Sequence, residues 1–102
     1  MVERAGCPYC ARWDKEVAPI YSKTPEARTA PLRRIGIDAL AQSGIDLTQP
    51  VRYTPTFLLV DEGREVGRLT GFMNDDTFWG LLDTMIAGLP GPSSSKIPAG
   101  QP

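Results

Sequence analysis

The sequence contains no histidine and only two cysteines among its 102 residues. The lack of histidine excludes catalysis by Ser-His-Asp and Cys-His arrangements, and it excludes zinc sites that need imidazole ligands. Two cysteines cannot supply the four thiolates of a structural zinc site within one chain, which leaves only zinc shared between two copies. The two thiols are therefore the side chains that are most easily made reactive near neutral pH.

The chain also lacks a strong charge and a long apolar run. Its 11 basic and 12 acidic side chains give a formal net charge of -1, so neither nucleic acid nor an anionic membrane surface is an expected partner. The longest apolar run, residues 57–60, is far shorter than the roughly 20 residues that a membrane-spanning helix needs. The small size and the near-neutral charge fit a monomer.

The start of the chain shows neither the basic residues nor the apolar stretch of a signal peptide. A cytoplasmic protein would lack this segment, and so would an exported protein whose leader has been removed. We expect the second case, because a strand begins abruptly at residue 1.

The composition predicts one folded domain, since 41% of the residues are hydrophobic, close to the share in ordinary globular proteins. We expect this domain over residues 1–89. Residues 90–102 are rich in proline, serine and glycine, which predicts a flexible tail.

The spacing of apolar residues predicts alternating strands and helices. The clearest strand covers residues 56–60 and is nearly all apolar, as expected for a strand covered on both faces. Val66 is the clearest apolar residue of an antiparallel partner strand. The strongest amphipathic helix follows its expected N-cap, Asn74, and ends near Gly88. The other expected elements are a strand end at 1–3, a helix over 8–21 kinked at Pro19, a polar connection over 22–31, a strand over 32–38 and a weak helix over 39–48.

Both cysteines lie in one motif, Cys7-Pro8-Tyr9-Cys10, a spacing typical of thioredoxin-like redox sites when it lies near strands and helices. Pro8 suits the first turn of a helix, so Cys7 lies near free N–H groups, which lower the pKa of its thiol below the ordinary value of about 8.5. Cys10 is more covered by the chain. We therefore expect Cys7 to attack a partner disulfide and Cys10 to resolve the mixed disulfide, with Tyr9 adding an aromatic surface.

These features together resemble the thioredoxin superfamily over nearly all of residues 1–89. The matching features are the cysteine motif after a strand, the Ala18-Pro19-Ile20 kink, the Thr54-Pro55-Thr56 segment, the Gly63 turn, and Gly71 at the spacing from Pro55 that thioredoxins show. The resemblance implies an α/β, thioredoxin-like fold: a four-stranded mixed sheet flanked by helices. It also implies a redox-active Cys7–Cys10 disulfide that needs no metal and no organic cofactor.

The resemblance further implies which residues bind the substrate. These are Thr54, Pro55 and Gly71, with a cis Thr54–Pro55 bond that aims the loop at the cysteines and with Thr54 offering backbone hydrogen bonds to an extended peptide. An apolar surface near Tyr9, Pro55 and Gly71 is the expected docking patch.

Within the superfamily, the chain most resembles the SoxS-type thioredoxins associated with bacterial sulfur-oxidation (Sox) gene clusters. The segments that carry this resemblance are residues 6–14, 16–21 and 30–34, and the stretch 71–82 agrees. The resemblance implies an exported, periplasmic thiol-disulfide oxidoreductase that reduces a disulfide or persulfide on a protein partner. That partner would be the sulfur-carrier complex, and the electrons would come from a membrane donor.

Three alternatives stay open. The Cys-Pro-Tyr-Cys motif is also that of glutaredoxins, whose glutathione-binding pattern is half present here. Tyr53-Thr54-Pro55 stands in place of their Thr-Val-Pro segment, and Phe72 in place of a second glycine follows Gly71, although Asp75 and Asp76 come soon after. A Dsb-like oxidase or isomerase would use the same cysteines, because only the reduction potential decides the direction of electron flow. A non-catalytic binding module would keep Cys7 and Cys10 as a structural disulfide.

The proton path for the resolving step has one candidate. The strand position where thioredoxins keep a buried aspartate holds no acid in this chain, and Glu3 is the nearest acid in sequence. Glu3 is therefore a candidate proton relay to Cys10, beside the alternative that it is a surface acid.

Overall fold

The computed structural model describes residues 1–89, and the tail expected over 90–102 lies outside the described residues. Its four strands form one mixed sheet in the order β2-β1-β3-β4, which confirms the predicted fold class. The elements in chain order are β1 (Val2–Glu3), α1 (Pro8–Glu16), α2 (Ala18–Tyr21), α3 (Pro25–Thr29), β2 (Ile35–Gly36), a 3-10 helix (Ile37–Gln42), β3 (Thr56–Asp61), β4 (Arg64–Thr70) and α4 (Asp75–Ala87).

The strand pairing determines which loops meet. Strand β1 runs parallel to β2 and antiparallel to β3, with Val2 opposite Thr56. Strand β4 is antiparallel to β3, with Thr70 opposite Thr56. The end of β1, the start of β3 and the end of β4 therefore lie at the same edge of the sheet.

The core lies between α1, α4 and one face of β3, and Trp13 is its central side chain. Trp13 of α1 is fully buried. Its ring centroid lies 5.3 Å from that of Phe57 on β3 and 5.8 Å from that of Phe78 on α4. Since a buried aromatic side chain removes a large apolar area from water, this contact fixes α1 and α4 against the sheet.

Strand β3 is covered less completely than its apolar sequence predicts. Phe57 and Leu59 are buried, whereas Leu58 is half-buried and Val60 is exposed. Because successive side chains of a strand point to opposite faces, one face of the sheet carries most of the core. The prediction that both faces of this strand are covered is therefore wrong at the Val60 end.

The polar connection predicted over residues 22–31 contains the short helix α3, so that prediction is wrong in part. Thr24 caps the helix by accepting a hydrogen bond from the Ala27 N–H at 3.3 Å, and Pro25 occupies the first turn. The helix buries none of its own residues, so no apolar periodicity marks it in the sequence.

The helix predicted over residues 8–21 divides at Val17 into α1 and α2, with Pro19 in the first turn of α2. The strand predicted over 32–38 shortens to β2, because β1 offers only two residues to pair with it. The weak helix expected over 39–48 is replaced by the 3-10 helix, which ends at Gln42.

Strand β4 contains a β-bulge at Val66. Leu59 pairs with Gly67 and Val60 pairs with Glu65, so Val66 has no residue opposite it on β3. Val66 is 49% exposed, whereas Glu65 is buried. The predicted antiparallel partner strand is present as β4, but Val66, its clearest apolar residue, is exposed, and the bulge places Glu65 on the same side of the sheet as Arg68.

The cap of α4 predicts a measurable contribution to stability. The Asn74 side-chain oxygen accepts a hydrogen bond from the Thr77 N–H at 2.8 Å. We expect Asn74→Ala to lower the free energy of unfolding by about 1 kcal/mol, because that N–H loses its acceptor. Denaturant titration of the oxidised protein measures the effect. Asn74→Ser is the control and retains most of the stability; an alanine variant as stable as the unchanged protein would contradict the role of the cap.

Candidate active site

The two cysteines lie at the N-terminus of α1. Cys7 is the N-cap residue, and its sulfur accepts a hydrogen bond from the Cys10 N–H at 3.2 Å. Pro8 is the first helical residue, where its missing N–H removes no hydrogen bond from the helix. The cysteine Cα atoms are 5.2 Å apart, and the two side chains form a disulfide.

The surroundings of Cys7 favour a negative charge on its sulfur once the disulfide is reduced. The first turn of α1 carries no acidic residue, and its free N–H groups form the positive end of the helix dipole. A thiolate at the N-cap is stabilised by both effects. Cys10 lies inside the first turn and not at its cap, so its sulfur receives less of this stabilisation. Burial does not separate the two cysteines, since Cys7 is 7% and Cys10 4% exposed.

The other predicted site residues lie at the same edge of the sheet as the cysteines. Thr54 and Pro55 precede β3, and the peptide bond between them is cis. Gly71 follows β4, and its N–H donates a hydrogen bond to the Pro55 carbonyl at 2.7 Å. The φ angle of Gly71 is +87°, a conformation that favours glycine. Phe72, the next residue, belongs to the same buried cluster as Cys7.

The exposed apolar side chains around the site differ from the predicted docking patch. The ring of Pro55 is fully buried, so it offers no surface to a partner. The exposed large apolar side chains next to these residues in sequence are Tyr9 in the first turn of α1, Tyr53 before Thr54 and Met73 after Phe72, which are 56%, 67% and 72% exposed. Sequence analysis missed Tyr53 and Met73. Their signal was a large apolar residue within two positions of Thr54 or Gly71 and outside any predicted helix or strand.

Thr54 contributes an unusual hydroxyl group to the site. Its Oγ1 atom is buried and has no hydrogen-bond partner among residues 1–89. The hydroxyl of Thr56, by contrast, donates a hydrogen bond to the Tyr53 carbonyl at 2.6 Å. An unpartnered buried hydroxyl costs free energy, so the buried Thr54 side chain does not itself stabilise the loop.

Glu3 is held in an ion pair with Arg34 and is not a free base. Its carboxylate accepts hydrogen bonds from the Arg34 guanidinium at 2.8 and 3.1 Å. Arg34 also pairs with Asp14 of α1. The hydrogen bond from Arg34 holds the pKa of Glu3 below its ordinary value, and a carboxylate with a lowered pKa is a weaker base. Through Arg34, which directly precedes β2, the carboxylate of Glu3 on β1 is linked to Asp14 on α1.

The described part of the chain contains neither a metal centre nor a membrane-spanning helix. Within residues 1–89, no cluster of three or more histidine, cysteine, aspartate or glutamate side chains could hold a metal ion. None of the helices described here is long and apolar enough to cross a membrane.

Two disulfide-bonded cysteines lie at the start of α1, at the same edge of the sheet as the cis-proline loop. This arrangement is that of a thiol-disulfide oxidoreductase. A family model described as a thioredoxin-like domain matches residues 1–86. The chain therefore belongs to the thioredoxin-like family.

One solved structure shows which branch of the thioredoxin-like family the chain resembles. The fold is similar to the crystal structure of the reduced periplasmic thioredoxin SoxS from Paracoccus pantotrophus, with a TM-score of 0.80 and 45% sequence identity. The match covers 84% of this chain and 90% of that one, which confirms the resemblance to SoxS-type thioredoxins. No curated protein matches the sequence.

The ion pair of Glu3 predicts that Glu3→Gln lowers the stability of the protein without changing its disulfide exchange. Because the pKa of Glu3 in the folded protein lies below its ordinary value of 4.5, the pair stabilises the protein above that pH, and the stabilisation is lost as the pH falls through the folded pKa. Glu3→Gln is therefore less stable than the unchanged protein at pH 7, and the difference shrinks in acid. Denaturation at a series of pH values measures this.

The same variant tests the proton path. We expect the pH profile of disulfide exchange by Glu3→Gln to match that of the unchanged protein, because a paired carboxylate is not the proton acceptor. A profile displaced along the pH axis would restore Glu3 as the relay to Cys10.

Proposed function

We propose that this protein reduces a disulfide or persulfide on a protein partner in the periplasm, and that the partner is the sulfur-carrier protein of a sulfur-oxidation system. The observation that supports this most strongly is the 45% identity to a periplasmic thioredoxin SoxS over 84% of the chain. The net charge of -1 gives no support to a nucleic-acid partner. A monomer is sufficient for the chemistry, since both cysteines belong to one helix.

The proposed reaction begins with the reduced dithiol. The Cys7 thiolate attacks one sulfur of the partner disulfide, forms a mixed disulfide and releases the first partner thiolate. Cys10 then loses its proton to solvent and attacks the Cys7 sulfur, which forms the Cys7–Cys10 disulfide and releases the second thiolate. Two electrons pass to the partner, and the two released thiolates are protonated according to their own pKa values.

A persulfide follows the same steps with a different product. The Cys7 thiolate attacks the outer sulfur, releases the partner thiolate and carries that sulfur as a persulfide of its own. Attack by Cys10 on the Cys7 sulfur then forms the disulfide and releases hydrosulfide. In both cases the dithiol must be regenerated by an electron donor, and for a periplasmic protein we propose a membrane protein in that role.

Substrate binding is proposed at the loops around the cysteines. The backbone of Thr54 pairs with an extended segment of the partner. Pro8 sets the start of the helix, and Gly71 holds the proline loop through Pro55. The exposed side chains of Tyr9, Tyr53 and Met73 supply the apolar surface for docking.

Trapping of the mixed disulfide tests the roles of the two cysteines. In Cys10→Ser expressed in the periplasm of a sulfur-oxidising bacterium, Cys7 stalls as a disulfide with its partner, because no resolving thiol remains. Non-reducing gels and mass spectrometry identify the adduct, which a reductant releases. Cys7→Ser is the matched control and forms no adduct with the sulfur carrier.

Outcomes of the trapping experiment separate the alternatives. Adducts with many unrelated proteins would indicate a general reductase instead of one that is specific for the sulfur carrier. An adduct with glutathione alone would favour a glutaredoxin-like enzyme. The absence of any adduct, with a reactive Cys7 thiol, would contradict the proposed function.

The redox state in the cell tests the direction of electron flow. A reductase must be recharged, so we expect the Cys7–Cys10 pair to be mainly reduced at steady state. Acid quenching followed by alkylation of free thiols measures this directly. A pair that is mainly oxidised while partner disulfides accumulate would indicate a Dsb-like oxidase instead.

A further inference from the structure

The side chain of Arg68 on β4 joins that strand to the segment leading into the proline loop. It is only 13% exposed and makes four hydrogen bonds. Two go to the Glu65 carboxylate at 2.7 and 2.8 Å, one to the Gln49 carbonyl at 2.7 Å and one to the Pro50 carbonyl at 3.0 Å. Glu65 in turn accepts a hydrogen bond from the Thr48 N–H at 3.0 Å. We call this arrangement the Glu65–Arg68 clasp.

The clasp depends on the bulge in β4. Residues three apart on a regular strand point to opposite faces of the sheet. Because Val66 has no residue opposite it on β3, the alternation shifts by one position, and Glu65 and Arg68 reach the same side. Bulges are over-represented beside active sites, where they redirect a side chain.

Packing does little to hold the segment that the clasp grips. An open cleft of about 240 Å³ is lined by Arg52 and Tyr53 of this segment on one side and by Thr56 and Arg68 on the other. The side chain of Tyr53, next to Thr54, is 67% exposed. Hydrogen bonds therefore carry the positioning: the clasp acts at residues 48–50, and the Thr56 hydroxyl holds the Tyr53 carbonyl at the other end.

We propose that Glu65 and Arg68 are positioning residues that set the Tyr53–Thr54–Pro55 loop for an extended protein substrate. This inference rests on the proposed function, because it concerns how that site binds its partner. Neither residue touches the cysteines in this role. The clasp therefore affects reactions that use the loop and leaves the thiol chemistry of Cys7 unchanged.

The substitution Arg68→Lys separates the positioning role of the arginine side chain from the effect of its positive charge alone. The arginine fork bonds to a carboxylate and two carbonyls at once, whereas a lysine is a single point charge on a flexible stem. We expect Arg68→Lys to lower kcat/KM for reduction of insulin disulfides at least about tenfold, since a small misplacement of a binding group costs up to about 100-fold. Reaction with the small disulfide 5,5′-dithiobis(2-nitrobenzoate) and the reduction potential stay unchanged.

Arg64→Lys is the matched control. Arg64 lies on the same strand, is exposed, and its side chain makes no hydrogen bond or ion pair within residues 1–89. This variant keeps both activities. Circular dichroism verifies that each variant is folded at the assay temperature. Should Arg68→Lys not fold, Glu65→Gln takes its place, because it keeps one acceptor oxygen and removes the charge that binds the fork.

The outcomes separate the inference from the function on which it rests. Loss of insulin reduction alone supports the clasp. Equal loss with both substrates, or no loss in a folded variant, overturns it. If the unchanged protein fails to reduce insulin while it reacts with the small disulfide, the proposed reductase function fails before the clasp is tested.

Discussion

The packing of Trp13 against Phe57 and Phe78 is the contact on which the active site depends. It presses α1 onto the sheet, so the start of that helix stays at the edge where β1 ends. Cys7 can then be both the last residue of the loop and the cap of the helix. A helix held less firmly would move its N–H groups away from the sulfur, and the stabilisation of a thiolate would fall with distance. The core therefore supports the chemistry directly.

The sequence was most informative where short-range rules apply. The proline after Cys7, the cap at Asn74 and the apolar face of α4 depend on neighbours within one or two helical turns, and the structure confirms those elements. Helix α3 escaped prediction because it is stabilised by a threonine cap and a proline while burying no apolar face. Patterns of burial cannot report an element that buries nothing.

The Glu65–Arg68 clasp escaped prediction for a different reason. Leu69 pairs with the buried Phe57, so strict alternation along β4 would put Glu65 on the side of Leu69 and away from Arg68, whereas the bulge places Glu65 on the side of Arg68. A bulge arises from the register between two strands, so it is a property of pairing and not of the local sequence. Only an unexplained pair of opposite charges three residues apart marked it. The cysteine pair could therefore be predicted from its sequence motif, whereas the Glu65–Arg68 clasp could not.

The same bulge has a consequence for how copies of this protein meet one another. Strand β4 lies at the edge of the sheet, and a straight edge strand exposes N–H and C=O groups to which another chain can add a strand. A bulge increases the local twist and interrupts the regular ladder, which makes the edge a poor template for such pairing. The irregularity at Val66, together with the bridge by which Asp46 pairs with Arg64 on this edge, leaves fewer regular N–H and C=O groups with which another chain could pair. A substitution that straightened β4 would make it easier for the same strand of a second copy to pair with this edge.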